Sequence, residues 1–188
     1  DNATITLLQD TTTGERLDIT KSTTLDLNGN TLSCATNFSD DYDTMVAVTA
    51  NGAKLTIIDS IGGGKLDGTG TTFVLYLGVP SLQGAATFTS SAQISGGTVS
   101  GGVRMRGGTS MTVSGGTLEN NTDGLATIEM QSETTLNVSG GEILNTVFAG
   151  DAISNMDGGM VIISGGTVNA SGGYARAIRT QNSGGVEI

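Results

Sequence analysis

Val161–Asn169 reads VIISGGTVN, two short apolar runs divided by Ser164-Gly165-Gly166. The phrase recurs as QISGGTVS (Gln93–Ser100), TVSGGTLEN (Thr112–Asn120) and NVSGGEILN (Asn137–Asn145). Worn copies stand at Asp26–Ser33 (DLNGNTLS) and Ile57–Asp67 (IIDSIGGGKLD). With the serine, or the residue in its place, as a marker, the markers fall at Asn28, Gly62, Ser95, Ser114, Ser139 and Ser164. The steps are 34, 33, 19, 25 and 25 residues. One unit of this length cannot bury its own apolar face, so the units must stack on one another.

The stacking can be read column by column. The last apolar residue before Ser-Gly-Gly is Val113, Val138, Ile163 and, by extension, Ile188. Ten residues upstream stand Val103, Ile128, Ile153 and Ile178; five downstream stand Leu118, Ile143 and Val168. Three apolar columns at a 25-residue step predict three short strands per coil, separated by bends. Two-residue alternation turns one set of side chains inward on every strand. Strands one coil apart then lie parallel at about 4.8 Å. The fold class this predicts is all-β: a parallel β-helix with coils of about 25 residues in the C-terminal half. Asn120 and Asn145 share one coil position, which predicts a ladder of stacked amides, and the paired glycines fit tight corners. An antiparallel sandwich or barrel is the alternative; it accounts for short strands but not for columns repeating at 25.

Upstream, alternation predicts strands at Thr4–Leu8, Arg16–Thr20, Thr24–Leu27, Thr31–Cys34, Met45–Val48, Leu55–Ile58, Lys65–Asp67 and Thr72–Leu77. Thr11–Glu15 reads as a polar turn, Thr36–Thr44 as an irregular acidic loop, and Gly78–Thr89 as a longer excursion holding Pro80. The expected organisation is one domain over 1–188: an entry coil at 1–35, irregular coils with longer loops at 36–91, and regular Ser-Gly-Gly coils at 92–188. Ile188 falls inside a repeat unit, so the natural protein is expected to continue past it.

Composition narrows the function classes. Net charge is −10, which opposes binding to nucleic acid or to anionic membranes. No apolar run approaches membrane-spanning length. The chain opens at Asp1 without Met, as removal of a signal peptide would leave it. Cys34 is the single cysteine and falls on the inward parity of its strand, as a small buried apolar residue.

Ile19–Leu32 (ITKSTTLDLNGNTL) and the Ser-Gly-Gly coils resemble the right-handed, single-stranded parallel β-helix of the pectin-lyase-like superfamily. They look especially like repeat-built surface proteins of gut-dwelling Gram-positive bacteria, which implies an extracellular or cell-surface location. The superfamily includes lyases, hydrolases, adhesins and tail spikes, so the fold alone does not assign a function. Asn121-Thr122-Asp123-Gly124 is similar to the Asn-Thr-Asp-Gly motif of polygalacturonases. That resemblance implies Asp123 and Asp151 as catalytic carboxylates. Gly150 stands where the family carries a third carboxylate, and Tyr174 stands where it carries a histidine. The chain has no His, and the family's Arg-x-Lys motif is not found. The same four residues also make good turn chemistry.

Three further patterns bear on sites. Asp40, Asp41 and Asp43 cluster in one loop; clustered carboxylates suit calcium, or are simply a solvated acidic loop. Thr98, Thr117 and Thr167 share an outward column, interrupted by Lys65 and Glu142. Outward of Val103, Ile128, Ile153 and Ile178 run two columns: Arg104, Glu129, Ser154, Arg179, then Arg106, Gln131, Met156, Gln181. With Arg176 this strand position holds half of the eight Lys and Arg residues. Guanidinium forks suit carboxylates and sugar hydroxyls. The expected ligand-binding set is therefore Arg104, Arg106, Glu129, Arg179, Gln181 and Tyr174, with a glycan or a host surface as partner and no cofactor, calcium at Asp40, Asp41 and Asp43 being the alternative. Tyr76 is a second candidate for stacking on a sugar. Three functions follow: a non-catalytic module for adhesion or carbohydrate binding, a structural stalk, or a polysaccharide hydrolase with a reduced site.

Overall fold

A computed structural model describes residues 2–35, 43–78 and 88–188. Within them every regular element is a strand, and every strand pairing is parallel. The antiparallel alternative is thereby set aside.

The strands fall into three ladders, each strand pairing with the one a full step along the chain. The first ladder runs through Ala3–Thr6, Thr23–Asp26, Lys54–Ile58, Ser91–Ile94 and Ser110–Val113. The second runs through Thr11–Thr13, Thr31–Cys34, Lys65–Asp67, Thr98–Ser100 and Thr117–Asn120. Two long strands, Thr135–Asn145 and Met160–Ala170, carry both ladders onward through the Ser-Gly-Gly corner and join them into one thirteen-stranded sheet. Gly185–Glu187 pairs with the first half of the second long strand. The third ladder forms a separate seven-stranded sheet: Leu17–Ile19, Thr44–Val48, Phe73–Leu77, Val103–Arg106, Ile128–Gln131, Ile153–Asp157 and Ile178–Thr180.

The apolar columns meet in register. Val113 pairs with Val138 and Val138 with Ile163; Leu118 pairs with Ile143 and Ile143 with Val168; Val103, Ile128, Ile153 and Ile178 follow one another. Val113, Val138, Leu118, Ile143, Val103, Ile128 and Ile153 are buried in one continuous apolar core, and Ile163, Val168 and Ile178 pack half-buried against its end. Fully burying each such side chain is worth about 1.5–3 kcal/mol.

The corner explains why two glycines follow the serine. A Cβ on Gly115, Gly140 or Gly165 would sit 2.6, 2.5 or 2.7 Å from the Ser95, Ser114 or Ser139 carbonyl oxygen of the preceding step. The second glycine of each pair, Gly116, Gly141 or Gly166, has φ of +76°, +72° or +84°. The first permits close backbone approach; the second supplies the left-handed bend.

The two earlier corners are built differently. In register, Leu25 and Ile57 precede Ile94, while Thr31 and Lys65 precede Thr98. Asp26–Asn30 and Ile58–Gly64 therefore span what Ser95–Gly97 spans in three residues. The markers at Asn28 and Gly62 hold when counted back from the second ladder only; counted from the first, Asp26 and Ile58 occupy the place. Carboxylates brace these wider corners. Asp26 accepts from the backbone N–H of Ser60 and of Asn28, both at 3.0 Å, and the Ser60 bond leads in holding its carboxyl below the ordinary range. Asp59 accepts from Gly29 at 2.8 Å and from Gly64 at 2.7 Å.

Three expectations change. Thr11–Thr13 is a strand rather than a turn, because Thr11 pairs with Leu32 and Thr13 with Cys34; β-branched threonines on an edge supply the propensity. Asn120 and Asn145 are adjacent and buried, but their amides bind backbone instead of each other. Asn145 donates to the carbonyls of Leu125 and Asp151 at 3.0 and 3.1 Å and accepts from Val147 at 3.2 Å, tying successive steps together. Cys34 is half-buried against the core, and burial raises its thiol pKa.

The steric demand at the corner predicts unequal costs for the same substitution. Gly140→Ala should lose about 3 kcal/mol through overpacking. Gly124→Ala, with φ +75° but open space around its Cβ, should lose only about 1 kcal/mol. Urea denaturation midpoints of the two variants check the difference.

Candidate functional site

The outward face of the seven-stranded sheet brings the predicted arginine columns together. Arg104 lies directly beside Glu129, which lies beside Ser154 and then Arg179. Arg104 donates to Glu129 at 2.7 Å, and its guanidinium stands 4.2 Å above the Phe73 ring. Arg106 donates through Nε to the Gln131 side-chain oxygen at 2.7 Å, and Gln131 in turn donates to Glu129. The result is a half-buried polar lattice spanning two steps. Charge pairs at this depth gain more than exposed ones but also carry a desolvation cost. The second column differs from expectation at one place: a bulge after Met130 sets Gln131 beside Asp157 rather than Met156.

Further along the sheet, Asp151 anchors two arginines. It is only 5% exposed, and its carboxylate meets Arg176 Nε at 2.9 Å and Arg179 at 3.9 Å. It also accepts from the backbone N–H of Arg176 at 3.2 Å. Oε1 of Gln181, in the amide orientation that satisfies both groups, accepts from Arg179 Nε at 3.1 Å.

Asp123 lies exposed in the turn that follows Thr117–Asn120. At Gly150, which stands where the polygalacturonase resemblance implies a further carboxylate, a side chain would have to displace its neighbours. A Cβ there would meet the Asn145 side-chain oxygen, and Val147 Cγ2 at 2.7 Å.

Tyr174 is 85% exposed on the corner between the second and third ladders. Its ring meets that of Phe148 edge-on, with centroids 5.5 Å apart at 81°. Phe148 is 58% exposed and was not foreseen from the sequence. The available signal was the step itself: 25 residues before Gly173 stands Phe148, so Tyr174 lands one residue past it on the next turn of the chain. Tyr76 takes the opposite environment. It lies beside Arg104 in the outward column yet is fully buried, edge-on to Phe73 at 6.5 Å, so it offers no stacking face.

Asp40 and Asp41 lie outside the described residues. Asp43 accepts from the Thr72 backbone N–H at 2.9 Å. The threonine column is in register from Thr98 to Thr117, with Lys65 before it and Glu142 and Thr167 after it. Lys65 reaches Asp67 at 3.3 Å, making that column a mixed charged and hydroxyl surface. Elsewhere, an apolar cavity of about 670 Å³ opens among Ile5, Leu7, Leu17, Ile19, Leu25 and Leu32.

Asp151 therefore has a structural task, which a substitution can expose. Asp151→Ala should cost about 1–3 kcal/mol, because it strands a backbone donor and removes the anchor of two guanidiniums. Thermal unfolding of Asp151→Ala beside Asp123→Ala, which should stay within about 0.5 kcal/mol of the parent, checks this.

Comparison with protein-family models, with curated proteins and with solved structures finds no match to this chain.

Proposed function

We propose that the chain is a parallel β-helix with three strands per coil, resembling the pectin-lyase-like fold, and that it serves as a non-catalytic module for adhesion or carbohydrate binding on a bacterial surface protein outside the cell. The observation that carries this reading is the fixed polar lattice on the seven-stranded sheet, where Arg104–Glu129 and Arg106–Gln131 pair across adjacent strands. Side chains repeat there at the strand spacing of about 4.8 Å, so their order is set by the backbone and little entropy remains to be lost on binding. Arginine, glutamate and glutamine side chains together offer donors and acceptors suited to sugar hydroxyls. Arg104, Arg106, Glu129, Arg179 and Gln181 form this proposed face, with Tyr174 at its margin.

Catalysis draws less support. Inverting hydrolysis needs one protonated and one ionised carboxyl group flanking a water. Asp151 is engaged by Arg176 and Arg179, Asp123 sits on an open turn, and position 150 is a glycine crowded by the Asn145 and Val147 side chains. A structural stalk is the second reading, favoured by one observation: the charges of Arg104 and Arg176 are answered by Glu129 and Asp151 within the chain itself.

A glycan array separates the two non-catalytic readings, with binding to at least one acidic or neutral glycan expected and a blank array supporting the stalk. Polygalacturonate incubated with the protein should release no reducing sugar. Release that both Asp123→Asn and Asp151→Asn abolish would replace this proposal with a hydrolase.

A further inference from the structure

Three successive turns of chain build the corner between the second and third ladders, and register orders their side chains. Gly124 N–H donates to the Phe148 carbonyl, and Ala149 N–H to the Gly173 carbonyl. Asp123, Phe148 and Gly173 thus form one column at 25-residue steps, and Gly124, Ala149 and Tyr174 form the next. Adjacent turns stand about 4.8 Å apart.

The corner carries an aromatic pair that folding does not explain. Phe148 and Tyr174 are 58% and 85% exposed and meet edge-on, whereas Phe73 and Tyr76 are buried. Adjoining exposed rings are a concentrated apolar surface, of the kind enriched where proteins meet. Tyr174 also has φ +61°, at the place where Gly124 has φ +75°. Glycine meets that left-handed bend without strain and tyrosine does not. The tyrosine side chain is too exposed for core packing to offset the strain. Such strain persists where something other than folding retains the residue.

The charges of the corner are separated along the stack. Its three turns, residues 121–127, 146–152 and 171–177, hold Asp123, Asp151 and Arg176 as their charged side chains. Asp151, 5% exposed, meets Arg176 at 2.9 Å and Arg179, on the adjoining strand, at 3.9 Å. Two guanidiniums share that one carboxylate, so the last turn keeps an excess of positive charge. Asp123 stands exposed on the first turn with the balancing negative charge. The exposed order along the stack is therefore carboxylate, ring, then ring with guanidinium. With Arg179 counted, the corner is neutral, on a chain of net charge −10 whose copies repel one another.

We propose that this corner is the contact face of a two-fold dimer of the chain. Such a contact needs a surface complementary to itself. A two-fold axis at right angles to the stack, at the level of Phe148, turns the second copy end over end. It sets Phe148 against Phe148 of the second copy. It also sets Asp123 against the turn that bears Tyr174 and Arg176, and does so twice. The aromatic pairs are covered at the centre, and two carboxylate–guanidinium pairs close the rim. Arg176 has 53% of its side chain exposed and binds Asp151 through Nε and one terminal nitrogen, which leaves donors for the second copy's Asp123. The Arg104–Glu129 and Arg106–Gln131 pairs lie on strands and not on this corner, so the dimer is independent of the carbohydrate reading. The face is small, so the dissociation constant should be on the order of 100 μM.

Sedimentation velocity on the 188-residue chain, over a range of concentrations and at low and physiological salt, tests this. The parent should pass from monomer to dimer as concentration rises, less readily at the higher salt. Tyr174→Gly should weaken the dimer at least tenfold, while its unfolding midpoint stays equal or rises because strain is relieved. Asp123→Lys and Arg176→Glu should each weaken it at least fivefold, since each sets like charges face to face. An equimolar mixture of those two variants should dimerise again, because opposite charges then meet on both sides of the two-fold. A parent that stays monomeric at about ten times the expected dissociation constant overturns the proposal. A dimer that Tyr174→Gly and Asp123→Lys leave unchanged forms through another surface and overturns this face. Failure of the mixture to associate, with thermal unfolding showing both variants folded, overturns the pairing of Asp123 with Arg176.

Discussion

The backbone contact inside each Ser-Gly-Gly corner governs the rest of the structure. The first glycine lies against the serine carbonyl of the preceding step so closely that a Cβ would stand 2.5–2.7 Å from it. Thr117 N–H then donates to Gly97 and Glu142 N–H to Gly116 at 2.9 Å, so the corner is hydrogen-bonded as the strands are. In Thr135–Asn145 and Met160–Ala170 the strand runs straight through it. This contact fixes the register on both sides at once. A slip of one residue would turn every inward side chain outward, and the buried columns of Val113, Leu118 and Val103 would be lost together.

Legibility in the sequence followed this constraint. Where the corner is three residues long, one alignment serves both flanking ladders, and from Ser114 onward the step holds at 25, so the apolar columns could be placed by counting. Where it widens to Asp26–Asn30 and Ile58–Gly64, one alignment cannot satisfy both flanking ladders, and the markers at Asn28 and Gly62 matched only one. The extra residues are held by Asp26 and Asp59 accepting backbone N–H groups from residues up to 34 positions away. Such long-range carboxylate clasps leave no local pattern. Thr11–Thr13 was missed because a three-residue edge strand of threonines reads like a polar turn. The bulge after Met130 was invisible because alternation alone implies a constant register.

The candidate site was half legible for the same reason. Outward columns inherit the register, so Arg104 beside Glu129 followed from the 25-residue step. Their distances and depth did not, nor did the burial of Tyr76, because alternation assumes a solvated outer face. All five residues of Thr44–Val48 and of Phe73–Leu77 are buried, on both faces of the sheet. Phe148 escaped because the apolar columns mark the strands and carry no signal for the corners between them. Corners are where this architecture can vary its chemistry, since the ladders stay in register whatever side chains the turns present. The aromatic pair and the Asp151–Arg176 clasp both occur there.

Register is open to direct measurement by cross-linking. In a Cys34→Ser background, Thr112→Cys with Asn137→Cys places two outward thiols on adjacent paired positions. Thr112→Cys with Ile162→Cys places them two strands apart. Neighbouring parallel strands lie about 4.8 Å apart and every second strand about twice that, beyond the Cα separation a disulfide spans. Mild oxidation should close the first pair and leave the second open. A disulfide in the second pair with none in the first would contradict the 25-residue stacking on which the whole account stands.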